Sequence, residues 1–271
     1  MSCTLVSQEW RLKFHYGHNL DFNPPGEYIQ LIQNQECVHF IHTGKCAGES
    51  IIAAMKRDGL AARRLEYHAF DANKSLDNAI QIIGRNANDK KHFFIILTRD
   101  PIDRWESSFN WDIHNIFLSK GISLADTKFA NYMNVNDLSI GIAKRDPEAL
   151  ALGRFGHMRM GISFYTPKAI LENLDPKHTH IIRTEMIDAD YSLLRSELIR
   201  SIPTTNERYS HQGLTQLVPY TKNDFKKNYP RRTFSQINRS DTNIMRSLKK
   251  YLKQDYEAHE LAISKFAKQN D

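Results

Sequence analysis

The sequence lacks the features of membrane and secreted proteins. The longest uninterrupted apolar runs in its 271 residues are five residues long, for example FFIIL at 93–97. About 20 apolar residues are needed to cross a bilayer. The first residues contain no apolar stretch of signal-peptide length. The three cysteines, Cys3, Cys37 and Cys46, form no CxxC pair, so neither a disulfide framework nor a zinc site is expected. We therefore expect a soluble cytoplasmic protein without a membrane partner.

Acidic residues are scarce in one late stretch of the chain. The whole chain carries 37 Lys and Arg against 31 Asp and Glu, a net charge of +6. Residues 222–253 hold ten Lys or Arg against two Asp, a local charge of +8 that leaves −2 for the remainder. This stretch is either a solvated basic face or the border of a site for an anion. No zinc-finger, RNP or basic-zipper motif is present, so a nucleic-acid polymer is not an expected partner.

Apolar runs and helical periodicities alternate along the chain and predict an α/β fold. Strands are predicted at 37–41, 63–70, 92–97 and 180–183, and helices at 48–57, 76–83, 101–117, 187–199 and 242–267. Strands separated by helices predict a mainly parallel central sheet flanked by helices, formed by one domain over 1–271. Residues 1–35 are predicted to be an irregular lead-in, and 120–175 a less regular helical segment. Ligands of such sheets bind beyond the carboxyl ends of the strands.

The first predicted strand runs into the sequence HTGKCAGES at residues 42–50. Gly44, Ala47 and Gly48 are small enough for a tight turn and a close approach to a ligand. The following helix offers unpaired N–H groups and the positive end of its dipole, to which Lys45 adds a charge and Ser50 a hydroxyl. Because Lys45 precedes the last glycine, the loop is not a Walker A motif. The loop is either a cradle for a phosphate-like group or a plain turn with an incidental lysine.

A second junction, RDPIDRWESSF at residues 99–109, follows the most apolar strand. Arg99 stands at the carboxyl end of that strand, and Pro101 begins a helix where its missing N–H does no harm. Ser107 follows two turns into the helix. In the alternative interpretation, Arg99 and Asp100 form a local ion pair and Arg104 is a surface charge.

Together the two junctions resemble the sulfotransferase family that uses 3′-phosphoadenylyl sulfate (PAPS), which implies a P-loop-like sulfotransferase architecture. HTGKCAGES is similar to the family's 5′-phosphosulfate loop, PKTGGTS, and departs from it at Cys46, Ala47 and Glu49. RDPIDRWESSF is similar to the 3′-phosphate motif RDPxxRxxSxY. Two weaker similarities follow at 181–194 and 237–260. The resemblance makes 1–271 a single sulfotransferase domain with a helical acceptor-site insertion at 120–175.

The resemblance implies PAPS as the donor, 3′,5′-ADP as the product and no metal ion. Lys45 would stabilise the charge that develops on the departing phosphate. Arg99 and Ser107 would hold the 3′-phosphate, closed over by the turn at 238–240. The implied donor-binding residues are Gly44, Lys45, Cys46, Ala47, Gly48, Glu49, Ser50, Arg99, Ser107, Asn238, Arg239 and Ser240.

The acceptor is expected to be a hydroxyl or amine of a small molecule, a glycan or a peptide. Between the two motifs His68 is the predicted catalytic base, with Glu66 as the alternative, and His157 is a further candidate acceptor-site residue. His39 and His42 are interpreted as packing or loop-ordering residues. Two other functions stay open: a nucleotide-dependent small-molecule kinase, which would need a Ser or Thr directly after a Walker lysine, and a non-catalytic anion-binding module.

Overall fold

A six-stranded sheet in the order β1-β2-β4-β3-β5-β6 organises the protein. The computed structural model describes residues 2–6, 10–15, 37–58, 64–69, 83–113, 130–201 and 235–267. β4, β3, β5 and β6 pair in parallel, and β1 and β2 extend the sheet in antiparallel pairing. The strands are β1 Ser2–Val6, β2 Trp10–His15, β3 Cys37–Ile41, β4 Arg64–Ala69, β5 His92–Thr98 and β6 Thr179–Arg183. The predicted α/β class with a parallel sheet is confirmed.

Helices follow the parallel strands, as the periodicities predict. They are α1 Gly48–Arg57, α2 Pro101–Asp112, α3 Val135–Ala143, α4 Pro147–Leu152, α5 Ile162–Tyr165, α6 Lys168–Asn173, α7 Ile187–Ser201, α8 Thr242–Tyr251 and α9 Lys253–Phe266. The helix predicted over 76–83 lies outside the described residues except for Ile83, as does 114–129 of the predicted helical segment.

Two sequence predictions about chain organisation are wrong in the described residues. The predicted irregular lead-in over 1–35 contains β1 and β2. In β2, Trp10, Leu12 and Phe14 alternate with polar residues, the pattern of an antiparallel strand with one covered face. The predicted continuous helix over 242–267 breaks at Leu252, whose φ and ψ of −95° and 21° leave the helical region.

The chain divides into two compact units with separate hydrophobic cores. The first comprises Met1–Arg99, Tyr165–Val218 and Ala258–Asp271, and the second Asp100–Phe164 and Pro219–Glu257. In the first unit, α1 and α7 pack on β3, β5 and β6 around Phe40, Ile51, Ile95 and Leu194. Every side chain of β5 is buried, which explains its near-continuous apolar sequence.

The second unit packs helices around Trp105, the largest fully buried side chain of the described residues. Its indole Nε1–H donates to Gly153 O at 2.9 Å, so the polar atom is satisfied without leaving the core. Phe109, Leu138, Leu152 and Leu248 join this core from four different helices. Full burial of each such side chain is worth about 1.5–3 kcal/mol.

A buried histidine pair makes the stability of the first unit sensitive to acid. His39 Nε2 lies 2.7 Å from His92 Nδ1, and the His39 ring stacks on Phe94. Burial, and then the neighbouring His92, lower the pKa of His39 well below its usual value. Burial also lowers the pKa of His92, which the nearby Asp89 opposes. The fold therefore disfavours the cationic form of both rings, and one N–H hydrogen lies between the two facing nitrogens.

We expect the free energy of unfolding to fall as the pH falls below about 6.5, the ordinary histidine pKa, because the unfolded chain then binds more protons than the fold. The slope should be at most about 1.4 kcal/mol per pH unit for each histidine, until the lowered pKa values are passed. Urea unfolding at several pH values measures it. His39→Phe keeps a ring on Phe94 and should flatten the slope; an equal slope in both proteins would contradict this explanation.

Candidate functional site

The loop between β3 and α1 holds two residues in a strained backbone conformation. Lys45 has a φ of 67° and Ala47 a φ of 60°, in the left-handed region that costs an L-residue about 1–2 kcal/mol. Elsewhere in the described part of the chain, Arg145 alone shares this feature among non-glycine residues. Such strain persists where the surrounding structure enforces it, and it is concentrated at binding loops.

The strained backbone arranges N–H groups at the start of α1. Cys46 N–H donates to Thr43 O at 3.3 Å, and Ser50 N–H donates to Ala47 O at 3.1 Å. The N–H groups of Cys46 and Ser50, two of the residues that the resemblance implies for donor binding, are thus already used within the loop. The N–H groups of Ala47, Gly48 and Glu49 make no backbone hydrogen bond within the described residues. Alternating φ signs and a helix amino terminus both favour an anion at such groups.

The side chains of the loop divide between the core and solvent. Cys46 is 2% exposed and belongs to the core of the first unit, so its side chain is not available to a ligand. Glu49 is exposed in the first turn of α1, where a carboxylate favours the helix dipole. Thr43 is fully buried, and its Oγ1 has no hydrogen-bond partner among the described residues. An unpaired buried hydroxyl costs about 1–3 kcal/mol, so Thr43 is a candidate residue that the sequence analysis did not single out.

Gly48 fits its position because His42 fills the space beside it. A Cβ on Gly48 would lie 1.9 Å from His42 Nε2 and 2.1 Å from its Cδ2. The His42 ring is 5% exposed and packs near Phe40 at 5.8 Å between ring centroids. The buried His42 ring therefore supports the loop backbone at Gly48, in agreement with the interpretation of His42 as a loop-ordering residue.

The sheet brings Lys45 and Arg99 to the same edge. Ile41 pairs with Ile96 in parallel register, so the chain leaves both strands at their carboxyl ends a few residues before Lys45 and Arg99. Thr98 fixes the end of β5, because its Oγ1 lies 2.7 Å from His259 Nδ1 and its carbonyl accepts from Thr184 Oγ1 at 3.1 Å. Arg99 itself is half-buried. Lys45 and Arg99 thus follow neighbouring strands that end at the same edge of the sheet in the first unit.

In the second unit, Asp100 caps α2. Its Oδ1 accepts from Ile102 N–H at 2.9 Å and Asp103 N–H at 3.1 Å, and its Oδ2 accepts from Tyr256 Oη at 3.1 Å. Burial, with Asp100 beside the hydroxyl, raises the pKa of Tyr256, so the phenol stays a donor at neutral pH. The carboxylate of the RDP sequence therefore organises the start of the helix.

The alternative interpretation of the second junction, in which Arg104 is a surface charge, is wrong, because Arg104 is 1% exposed. Its guanidinium donates to the carbonyls of His157 at 2.9 Å, Met158 at 2.8 Å and Met160 at 3.2 Å, and to Ser108 Oγ at 3.2 Å. Ser108 is fully buried in this network, whereas Ser107 is half-buried. Of the two serines, Ser107 is thus the one left for a ligand.

The predicted Asn-x-Ser turn is formed and lies against α2. Asp241 N–H donates to Asn238 O at 3.2 Å, and Ser240 N–H donates to Asn238 Oδ1 at 3.2 Å. Arg239 Nη2 bonds Asp103 Oδ1 at 2.5 Å and Glu106 Oε2 at 3.2 Å. Asp103 lies one helical turn before Ser107, and Glu106 directly precedes it. The structure therefore brings Arg239 to the segment of α2 that carries Ser107. The 222–234 part of the basic stretch lies outside the described residues.

The three candidate proton acceptors differ in what the structure gives them. Glu66 and His68 lie on β4, and His68 follows the Tyr67–Ile41 pair, at the carboxyl edge of the parallel strands; their side chains lie outside the described part. His157 is held by Asp112, whose Oδ1 lies 2.5 Å from His157 Nδ1. No local sequence pattern identifies Asp112 as the partner of His157, because the two residues lie 45 positions apart in the chain.

The fold and this site define an α/β protein with a strained, lysine-bearing loop at the carboxyl edge of a parallel sheet. No protein-family profile, curated protein or solved structure matches the chain. In the described ranges, no three His, Cys, Asp or Glu side chains are grouped as metal ligands would be. None of the helices described is long and apolar enough to span a membrane.

Proposed function

We propose that this protein transfers the sulfuryl group of PAPS to a hydroxyl or amine acceptor. The observation that carries the proposal is the loop at 42–50, in which Lys45 and Ala47 adopt left-handed backbone conformations directly before the amino terminus of α1. The motif resemblance supplies the identity of the anion, and the N–H groups of Ala47, Gly48 and Glu49 at the start of α1 favour an anion there.

In the proposed reaction, the protein positions groups and neutralises charge, as in phosphoryl transfer. The sulfur–oxygen bond to the 5′-phosphate breaks, and 3′,5′-ADP leaves with the electron pair. A sulfur–oxygen or sulfur–nitrogen bond to the acceptor forms, and the acceptor's proton passes to a base, the role predicted for His68. Ala47, Gly48 and Glu49 N–H groups hold the 5′-phosphate. The Lys45 ammonium stabilises the charge that grows on the departing oxygen, where a preorganised donor has its largest effect.

The motif resemblance assigns Arg99, Ser107 and Arg239 to the 3′-phosphate. In the structure the Arg239 guanidinium is shared between Asp103 and Glu106, on a side chain that is 44% exposed. Exposed ion pairs of this kind contribute about 0–1 kcal/mol. A dianionic phosphate is a stronger partner for a guanidinium than either carboxylate. The ion pairs with Asp103 and Glu106 therefore keep Arg239 near Ser107. Replacing them by a contact with the phosphate costs little free energy.

Arg99→Ala tests the assignment of the 3′-phosphate. We expect it to weaken PAPS by about 10- to 150-fold, the loss of one charge-assisted hydrogen bond. Adenylyl sulfate, which lacks the 3′-phosphate, should bind the variant and the unmodified protein alike. Calorimetric titration with both nucleotides measures the difference.

The matched control is Arg85→Ala, which removes an exposed arginine before the amino end of β5 and should change neither affinity. Equal weakening of both nucleotides by Arg99→Ala would remove Arg99 from the 3′-phosphate site.

A further inference from the structure

Four exposed cations lie on or beside α8, all within the second unit. Arg246, Lys249 and Lys250 are three and four residues apart, so they share one face of the helix over about 6 Å of its axis. Arg154 follows α4, and its guanidinium carbon lies 5.5 Å from the centroid of the Tyr251 ring. None of the four forms an ion pair with any described residue. We term these four residues the α8 cation cluster.

Two tyrosine rings hold the cluster without neutralising it. Lys249 Nζ lies 5.9 Å from the centroid of the Tyr256 ring, and Arg154 lies similarly over Tyr251. Tyr256 Oη donates to Asp100 Oδ2 at 3.1 Å, and Tyr251 Oη donates to a backbone carbonyl of α4 at 2.9 Å. A ring attracts a cation through its quadrupole and leaves the positive charge in place. These cations are therefore positioned and still available to an anionic partner.

Other cations near α8 are neutralised by carboxylates. Arg239 is shared between Asp103 and Glu106, and Lys253 Nζ lies 3.5 Å from Glu257 Oε1. The sequence leaves open whether the basic stretch that contains α8 is a solvated face or borders a site for an anion. In the described part of that stretch, the charge without a carboxylate partner is concentrated on α8.

The cluster offers a partner charge and little else. Ile244 and Leu248 are buried on the opposite side of α8. The exposed large apolar side chains of the described residues are Met133 and Met186, neither of which lies on α8. A helix that binds in a bilayer interface buries an apolar face there, and unpaired bases bind by stacking on aromatic rings. The two tyrosine rings are half-buried and covered by their cations. Insertion into lipid and stacking of bases are therefore both disfavoured.

We propose that the α8 cation cluster binds the phosphate backbone of duplex DNA without reading its sequence. A DNA duplex carries one charge per about 1.7 Å of axis at fixed positions, whereas an acidic peptide must lose conformational freedom to align its carboxylates. Zinc-finger, RNP and basic-zipper motifs, which the chain lacks, place side chains on bases, but phosphate contacts need only cations. This binding is independent of the proposed function, because it involves none of the residues assigned to PAPS.

The salt dependence of DNA binding counts the phosphate contacts. Fluorescence anisotropy of a labelled duplex of about 20 base pairs, titrated at several salt concentrations, measures it. Each phosphate contact contributes about −0.9 to the slope of log K against log salt. Four contacts predict a slope of about −3.6 or steeper, a loss of about 150-fold in affinity between about 50 and 200 mM salt. A slope near zero would overturn the proposal.

Two charge-matched variants locate the contacts. The cluster variant combines Arg154→Gln, Arg246→Gln, Lys249→Gln and Lys250→Gln. The control variant removes the same charge from exposed positions in the first unit and combines Arg85→Gln, Lys90→Gln, Lys91→Gln and Lys168→Gln. We expect the slope to become shallower by about 3.6 in the cluster variant and to stay unchanged in the control. An unchanged slope in the cluster variant, or an equal change in both variants, would overturn the proposal.

A protection experiment on the unmodified protein needs no substitution. Acetic anhydride acetylates accessible lysines, and peptide mass spectrometry reports the rate at each one. We expect a saturating DNA duplex at low salt to slow acetylation of Lys249 and Lys250 several-fold and to leave Lys168, exposed in the first unit, unchanged. Equal rates for Lys249 and Lys250 with and without DNA would overturn the assignment even if the cluster variant fails to fold.

Competition at equal concentrations of charge distinguishes DNA from other polyanions. The competitors are polyglutamate, vesicles of phosphatidylserine and phosphatidylcholine, and an RNA duplex. We expect unlabelled duplex DNA to displace the probe at lower concentration than polyglutamate or the vesicles. RNA duplexes are recognised largely through shape and 2′-hydroxyls, so a cluster that reads charge should bind RNA no more tightly than DNA. Stronger competition by any of the three would overturn the assignment of DNA as the partner.

Discussion

Lys45→Gly is expected to lower sulfuryl transfer by about 100- to 1,000-fold while 3′,5′-ADP still binds within about tenfold. Lys45 acts on charge that appears as the sulfur–oxygen bond breaks, so its loss belongs to the chemical step. Glycine is the sharper replacement because Lys45 has a φ of 67°, a conformation that glycine adopts without strain. The substitution thus removes the charge and leaves the loop its shape. Release of 3′,5′-ADP from PAPS and calorimetric titration measure the two effects.

Arg145→Gly is the matched control for Lys45→Gly. Arg145 is exposed, carries the same charge and has a φ of 60°, so both substitutions remove one cation and relieve one left-handed residue. We expect similar thermal midpoints for the two variants and a loss of transfer in Lys45→Gly alone. A Lys45→Gly protein with normal turnover would show that the lysine is incidental to the loop.

Gly48→Ala is expected to weaken 3′,5′-ADP binding by at least about tenfold and to destabilise the first unit by about 1–3 kcal/mol, the usual cost of overpacking. The added Cβ would lie 1.9 Å from His42 Nε2. Because the His42 ring is buried, the loop backbone and its N–H groups must shift. Urea unfolding and calorimetry measure the two losses.

Two further variants isolate the clash. His42→Ala in the Gly48→Ala background removes the ring and should restore part of the binding. Gly84→Ala is the control, because its Cβ would meet Ile170 Cδ1 at an ordinary 3.7 Å, and its stability should stay within about 0.5 kcal/mol. Full binding by Gly48→Ala alone would contradict the described loop geometry.

The parts of the fold that local sequence determines were predictable. The boundaries of β3 and α1 are as predicted, and β5 and β6 each extend one residue beyond the prediction, because apolar runs and helical periodicity report directly on burial. The break at Leu252 could not be foreseen, since neither glycine nor proline marks it. For β2 the signal was present: Trp10, Leu12 and Phe14 alternate with polar residues, yet the segment was predicted to be irregular.

The site was predictable in its location but not in its working parts. The sequence predicts a tight turn at Gly44, Ala47 and Gly48. The structure places Ala47, together with the unpredicted Lys45, in the left-handed conformation, and Gly48 lies against the His42 ring. Asp112 and His157 meet only through tertiary packing, and Arg104, which matched a ligand motif, is buried as the support for that pair. Such contacts between distant segments leave no pattern in a single sequence.

The central claim, that the loop at 42–50 belongs to a PAPS-dependent sulfotransferase, is tested most directly by calorimetric titration of the unmodified protein with 3′,5′-ADP in the presence of EDTA. We predict binding with a dissociation constant on the order of micromolar, about −8 kcal/mol, unchanged when Mg²⁺ replaces EDTA, and weaker binding of ATP. Binding of ATP in preference to 3′,5′-ADP and only with Mg²⁺ would contradict the claim in favour of a kinase, and absence of binding by either nucleotide would contradict it outright.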